Sequence, residues 1–540
     1  MSNTITPSKT LGYSNIYLDF LSQELSAMAF FPAAGIEDVA EKLSTAKHSR
    51  GEIVDILKAQ NRLYQASDKT FENIERLRDK SAVCVFAGQQ AGLFGGPLLV
   101  VYKALSLVKA ARAYETTLGR PVVPIFWIAG DDHDFAEVNH TFVLNRSWEL
   151  ARLSYDTPPA FELPVSEIKF NDASELDKAK NDLKEALGET DFTAEVYDLV
   201  EKAYTSDDTF VTSFGKLMAS ITADFGLAFF SPGDAKAKRL AADLFKDFIE
   251  KEEDLQTRLN DTNEAIARSG YHLQVEKSAD ASHLLYNLDG RKPVLRQGDG
   301  YRVGDDTLSR EKLLDCIHDH PERFSPDVMT RPLLQSYLFP VVSQKGGAAE
   351  IAYLAQINRI FGLFSLVTPY YRARPSLTVI EKRFEQIMRE HDIALEELAG
   401  DIEQLINRIL ARSFPADIEQ SFNQFRDHLR EHFQRFADRS LKYDPGLSRL
   451  AEQTLGKINF AVKNFEGKVF SSHKKKSQQM RERLYRLWYA LYPNRNFQER
   501  SLNITYFLSK YGRGLVNFLY EKMDCEQKSH QLINLSEFGE

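Results

Sequence analysis

The sequence is short of several things, and each shortage excludes a class of protein. It has only three cysteines, Cys84, Cys316 and Cys525, in 540 residues. They lie far apart and form no C-x-x-C pair, so neither a disulfide framework nor a cysteine-based zinc motif is available. So few cysteines in so long a chain fit a reducing compartment. Glycine and proline number only 28 and 19, well below the content of fibrous or low-complexity chains. Long apolar runs are absent as well. The stretch around Leu98 to Val101 is interrupted by Lys103, Lys109 and Arg112, far short of the ~20 residues of a membrane helix. Met1 to Thr10 is polar and lacks the apolar segment of a secretion signal, so a cytoplasmic location without membrane attachment is expected. Positive charge is not in excess either. Lys and Arg number 68 against 77 Asp and Glu, a net charge of −9, which argues against nucleic acid as a partner.

What is there is ordinary globular composition, 43% hydrophobic and 27% charged, and enough chain for several structural units. Residues 1–80 read as helical, with apolar residues such as Ile53, Leu57 and Leu63 at helical spacing. Ala82 to Ala87 is a short apolar run that reads as a buried strand. A glycine-rich loop, Gly88 to Gly96, follows, and Pro97 opens a helix to about Glu115. Val122 to Ala129 is a second buried strand. Strand, loop, helix and strand in this order form a βαβ unit and predict a parallel sheet. Leu227–Phe230, Phe339–Ser343 and Leu366–Pro369 supply further strands, and a helix is expected from Ala348 to about Phe361.

The expected fold class is therefore α/β, a Rossmann-like parallel sheet interrupted by insertions. The core is drawn from 81–149, 211–261 and 331–375. A polar helical insertion spans 150–210. A second, 262–330, carries hairpin alternation with Asp-Gly turns at Asp289-Gly290 and Asp299-Gly300. From 376 to 540 the pattern becomes that of a helical coiled-coil domain. Leu395, Leu398, Ile402, Leu405 and Ile409 step by three and four, as do Leu455, Ile458, Val462, Phe465 and Val469. Phe422 to Phe436 continues at helical spacing. Pro415 and Asp444-Pro445-Gly446 are the expected breaks, and Lys474-Lys475-Lys476 reads as a solvated turn.

Chemistry concentrates in loops at strand ends. The loop containing Gly88, Gln89, Gln90, Gly95 and Gly96 would let backbone N–H groups approach an anion, although it matches neither the Walker A nor the dinucleotide pattern. The same glycines also suit tight turns alone. Asp131, Asp132, His133 and Asp134, with Glu137 and His140 nearby, put carboxylates and imidazoles at the end of a strand. Such a cluster suits a divalent metal or an ammonium group, with the histidines as bases or ligands. An Asp here also fits as a helix cap. Lys345-Gly346-Gly347 leads into a helix whose first turn carries Glu350. Lys345 would meet a phosphate and Glu350 a substrate amine. Tyr370 to Ser376, just past the last expected strand, carries Arg372 and Arg374, a residue type shaped for carboxylate or phosphate, though the segment also suits a solvated turn. Phe497, Arg500 and Lys510 lie in an aromatic and basic segment suited to stacking on and pairing with a nucleotide. Three loops at strand ends converge on one edge of a doubly wound sheet, and that convergence points to an enzyme.

The two long motifs, Phe86 to Pro97 and Phe126 to His140, together resemble the bacillithiol synthase family, BshC. The resemblance extends through Gly346 to Tyr353 and Phe497 to Gly512, and covers essentially the whole chain. It implies a ligase that joins cysteine to the amine of glucosaminyl-malate. It also implies a core like that of nucleotidyltransferases and class I aminoacyl-tRNA synthetases, and a coiled coil that makes a homodimer. ATP or ADP is the expected nucleotide, placed at the helical domain; no metal ligands are assigned. Asp131, Asp132 and His133 would orient an ammonium or act as base, and Lys345 and Arg372 would neutralise developing charge. The residues leave open another carboxylate-activating or nucleotidyl-transferring enzyme, a metal hydrolase, or a nucleotide-binding scaffold.

Overall fold

The computed structural model describes residues 4–8, 12–288, 290–413 and 416–539. Pro415, expected as a helix break, and Asp289, expected in a turn, lie outside them. At the centre is a five-stranded sheet of β1 (Val83–Gln89), β2 (Val122–Ile128), β3 (Ala228–Phe230), β4 (Val341–Gly346) and β5 (Tyr370–Ala373), in the spatial order β5-β4-β1-β2-β3. Every neighbouring pair is parallel. β2 is buried along its whole length and β1 along all but its last residue. Strands covered on both faces have no polar side to show, which is why they read as unbroken apolar runs. The strand order reverses between β1 and β4. In open α/β sheets the crevice beyond the strand ends at such a reversal is the ligand site.

Two helices start at that crevice. β1 leads through the loop into α1 (Leu99–Leu118), which ends on Gly119 in the left-handed conformation. β4 leads directly into α2 (Ala348–Ile357), which continues as a 3-10 helix, Asn358–Phe364. The last strand differs from expectation. Leu366–Pro369 is the connection, and β5 starts at Tyr370. Pro369 lacks an N–H for a sheet ladder, so pairing with β4 starts one residue after it. The expected Phe339–Ser343 strand likewise runs later, as β4.

The segment expected as a helical insertion, 150–210, holds helices Ala173–Leu187 and Thr193–Ala203, but it opens as a strand: Leu150–Ser154 pairs antiparallel with His140–Leu144. The hairpin alternation of the second insertion belongs to a five-stranded antiparallel sheet: Ala281–Asn287, Arg291–Gln297, Gly300–Val303, Asp306–Ser309 and Phe324–Pro326.

By compactness the chain forms two units, Met1–Lys382 with Pro493–Glu540, and Arg383–Tyr492. The last residues thus belong with the sheet. His530–Asn534 pairs in parallel with Leu377–Ile380 and antiparallel with Thr4–Ile5. Asn503 reaches the glycine loop, where its Nδ2 donates to Phe94 O (2.9 Å) and Gly96 O (2.7 Å). Phe94, Gly95 and Gly96 all have positive φ, so this tight reversal explains the paired glycines.

The second unit contains α3 (Ile402–Ser413), α4 (Ala416–Tyr443) and α5 (Ser448–Leu491). α4 and α5 form an antiparallel hairpin. Arg426 pairs with Glu466 at 2.8 Å and Phe422 packs on Phe465. The break at Pro445 is present as a single 3-10 turn, Pro445–Leu447. The lysine run is not a turn. It lies inside the 44-residue α5, because lysine is a good helix former and no glycine or proline interrupts it there.

Candidate active site

A cleft of about 660 Å³ opens at the carboxyl edge of the sheet, over the reversal point. Gly88, Gln89 and Gln90 from the end of β1 line it, as do Asp131, Asp132 and His133 from the end of β2, and Gly347 to Glu350 from the start of α2. The glycine loop and the acidic cluster meet directly: Gln90 Nε2 donates to Asp132 Oδ2 at 2.7 Å. Gly88 is required by space rather than by φ. A Cβ there would fall 2.9 Å from the Trp127 carbonyl oxygen on the neighbouring strand.

The floor of the cleft is built on Lys103, from the first turns of α1. Its buried Nζ donates to Gly88 O (2.7 Å), Gln89 Oε1 (2.8 Å) and Glu350 Oε2 (2.6 Å). One ammonium thereby ties the end of β1 to the start of α2 across the reversal. Glu350 also accepts from Gly347 N at 2.8 Å, closing the first turn of α2. Burial pushes the Glu350 carboxyl up, but Lys103, the Gly347 N–H and Arg331 more than offset it and leave it below its usual range. Burial, only partly opposed by Glu350, lowers Lys103.

At the β2 side, Asp131 Oδ1 lies 3.3 Å from Lys238 Nζ, and both are buried. Asp132 Oδ1 accepts from His133 N (2.8 Å) and lies 3.7 Å from both His133 Nδ1 and Arg291 Nη1. His133 is about half exposed to the cleft, with side-chain exposure of 40%. Among the described residues no group of three or more His, Cys, Asp or Glu side chains is placed to hold a metal. Each of these two carboxylates is instead matched to its own cation. Asp327, also in the lining, is buried; desolvation raises it, but His283 (3.1 Å), Lys277 (3.3 Å) and the Thr330 N–H hold it down at about 2.

Arg331, Arg374 and Arg500 also line the cleft. Arg374 Nη2 donates to the buried Glu499 at 2.8 Å. Glu499 also accepts from Ser376 Oγ and Leu377 N. Burial alone would raise Glu499; the Arg374 guanidinium more than offsets it.

Several expected residues are elsewhere. Asp134 caps the short helix Phe135–Val138, its Oδ1 accepting from Glu137 N, so the cap is Asp134 rather than Asp131 or Asp132. His140 starts the hairpin and meets Asn139 Oδ1 at 3.0 Å. Gly95 and Gly96 form the turn behind the loop. Gly346 is the buried last residue of β4. Lys345 does not reach the cleft: it lies within β4, so its side chain leaves across the sheet and is buried near Cys525. Arg372 pairs with Glu526 and sits over the Tyr370 ring. Phe497 is buried and stacks on His530 at 4.4 Å. Lys510 pairs with Glu381 at 3.1 Å. Of the expected nucleotide residues only Arg500 lines the cleft. Of the arginine segment Tyr370 to Ser376 it is Arg374, not Arg372, that lines the cleft. Lys103, Arg291 and Arg331 are site residues that local pattern does not single out, save that Lys103 is a lysine inside the apolar run of α1.

Comparison with known proteins agrees with this architecture. The family model described as "Bacillithiol biosynthesis BshC, N-terminal Rossmann-like domain" matches residues 1–375. That described as "Bacillithiol biosynthesis BshC, C-terminal coiled-coil domain" matches 377–535. Relatives named "Putative cysteine ligase BshC" include that of Koribacter versatilis, 30% identical over 94% of this chain and 95% of its own. That of Bacillus cytotoxicus is 31% identical over 93% and 94%, and that of Salinibacter ruber 28% identical over 98% of each. With both domains matched in order and relatives aligned along nearly their full length, the chain belongs to the BshC family of bacillithiol biosynthesis.

Proposed function

We propose that this BshC-family ligase forms an amide between the carboxylate of cysteine and the amine of glucosaminyl-malate, giving bacillithiol. The observation that carries the reading is the joining of three strand-end loops into one cleft. The Gln90–Asp132 bond links two of them, and Lys103 links the loop after β1 to Glu350. An amine does not displace hydroxide from a free carboxylate in water, so the cysteine carboxylate needs activation. ATP would supply that activation in this reading: the carboxylate oxygen would displace pyrophosphate or ADP from it, and the attacking amine would then expel AMP or phosphate as the C–N bond forms.

Asp132, partly exposed at the end of β2, orients the substrate ammonium, and Asp131, buried against Lys238, holds the loop that carries it. His133, beside Asp132 and open to the cleft, accepts the proton that the attacking amine loses. Glu350 is fully engaged by Lys103 and Gly347, and acts by fixing the loop ends. The α4–α5 hairpin makes the homodimer contact. Large apolar side chains exposed on those helices, Phe436 and Phe460 among them, support this. A cytoplasmic location fits the three unpaired cysteines, and no described helix is long and apolar enough to cross a membrane.

Purified protein incubated with cysteine, glucosaminyl-malate and ATP is expected to yield a product of the bacillithiol mass. Cells lacking the protein are expected to accumulate glucosaminyl-malate. His133→Ala is expected to lower turnover by about 10²- to 10⁴-fold. Normal bacillithiol in the deleted cells would overturn the reading, and an undiminished His133→Ala enzyme would remove His133 as base.

A further inference from the structure

The charges around the cleft are unevenly compensated. Lys103 is matched by Glu350, Lys277 by Asp327, Arg291 by Asp132 and Arg374 by Glu499. Two cations remain. Among the described residues no carboxylate lies within ion-pair distance of Arg331 or Arg500. Arg331 bonds the Tyr353 hydroxyl through Nη2, and its Nε is buried without a hydrogen-bond partner. Arg500 is exposed and lines the same cleft.

Buried donors are rarely left unsatisfied, because each costs about 1–3 kcal/mol. A buried guanidinium N–H without a partner, and two guanidiniums without a carboxylate at ion-pair distance in one cleft, therefore describe the complement of a ligand rich in anionic oxygen. The position is also selective. Arg331 and Arg500 face the cleft where Glu350 and Arg374 lie, at the start of α2. Asp132, partly exposed at the end of β2, lies within electrostatic reach of Arg331 across the cleft.

Resting on the ligase reading above, we infer that Arg331 and Arg500 form a subsite for a doubly charged oxyanion of one substrate, leaving its amine for the partly exposed Asp132. The oxyanion is a carboxylate pair or a phosphate, and planar guanidiniums bind either. The malyl group of glucosaminyl-malate and the nucleotide are the two sources. A carboxylate pair on the same molecule as the amine would also set which way round that substrate lies.

The test is calorimetric binding to the full-length protein of three ligands separately: glucosaminyl-malate, its dimethyl ester, and ATP. It uses wild type, Arg331→Met and Arg500→Gln. Arg500 is exposed, so its variant keeps the test independent of folding, and the ester probes the unmodified protein. If the subsite holds the malyl group, each variant binds glucosaminyl-malate about 10- to 100-fold more weakly. Wild type then loses a similar factor for the ester, and ATP binding is unchanged. If it holds phosphate, ATP binding alone weakens by that factor. Unchanged binding of both charged ligands by both variants overturns the subsite while leaving the ligase reading standing. Failure of wild type to bind glucosaminyl-malate overturns the ligase reading instead.

Discussion

The sheet cleft and the helical hairpin handle charge in opposite ways. In the cleft, ion pairs are buried and join distant parts of the chain. Lys103 and Glu350 have side-chain exposures of 4% and 19%, and Arg374 and Glu499 of 6% and 1%. On α4, beside the pair that joins it to α5 (Arg426–Glu466), pairing is local and open to solvent, as with Glu431 and Arg435, four residues apart and 61% exposed on each side. The apolar residues differ in the same sense. Trp127 and Phe126 are fully buried, whereas Phe436, Phe460 and Phe465 are more than 60% exposed. Position is what a buried pair specifies: taking a charge out of water is tolerated only where a partner sits in the right geometry, so each buried pair fixes two elements together. Exposed pairs one helical turn apart fix nothing beyond their own helix.

Substitutions sharpen this contrast. Lys103→Met and Glu499→Ala are expected to cost most, about 3–5 kcal/mol each, because each strands a buried opposite charge. Chemical denaturation measures the loss. A double variant, Lys103→Met with Glu350→Gln, should recover part of it, and a Lys103→Met cost below 1 kcal/mol would show that the pair does not hold the loop ends.

Acid is expected to act next. Burial pushes His530 from 6.5 down to about 4, against the pull of Glu499. The unfolded chain then binds more protons than the folded one between these values. Stability therefore falls as pH drops from 6.5 to about 4, by about 3 kcal/mol in total, and the effect levels off below that. His530→Gln should flatten this limb of the stability–pH curve relative to wild type.

Gln90→Ala removes a hydrogen bond to a partly exposed carboxylate, and is expected to cost about 1 kcal/mol of stability. Its effect on turnover should be larger than that on stability, since it frees Asp132 from the loop. Arg435→Ala, on the open helix, should change stability by no more than about 0.5 kcal/mol. A cost comparable to that of Lys103→Met would erase the distinction between the two regions.

Much of the fold was legible from short-range pattern. Apolar runs marked β1 and β2, and steps of three and four marked α3 and α5. Asp444-Pro445-Gly446 marked the hairpin turn. The errors have local causes. Pro369 delayed β5, and the lysine run was read as a turn when only its charge, not its helix propensity, had been weighed. The site was legible at strand ends and obscure elsewhere. Gly88, Gln90, Asp132 and Glu350 follow from the rule that ligands meet the carboxyl ends of strands. Lys345 failed because it lies one residue inside its strand. Arg374 is marked by its strand-end segment, but Arg291 and Arg331 lie hundreds of residues from the glycine loop and carry no local pattern.

The sequence by itself determined which segments become strands and helices, and where loops can approach a ligand, because hydrophobic period, glycine and proline act over a few residues. Only the tertiary structure decided which charges meet. Lys103 finds Glu350 247 residues away, and Glu499 finds Arg374 125 residues away. Those pairings depend on the order in which the strands are laid side by side, and electrostatic partners are chosen by distance in space, which separation along the chain does not encode.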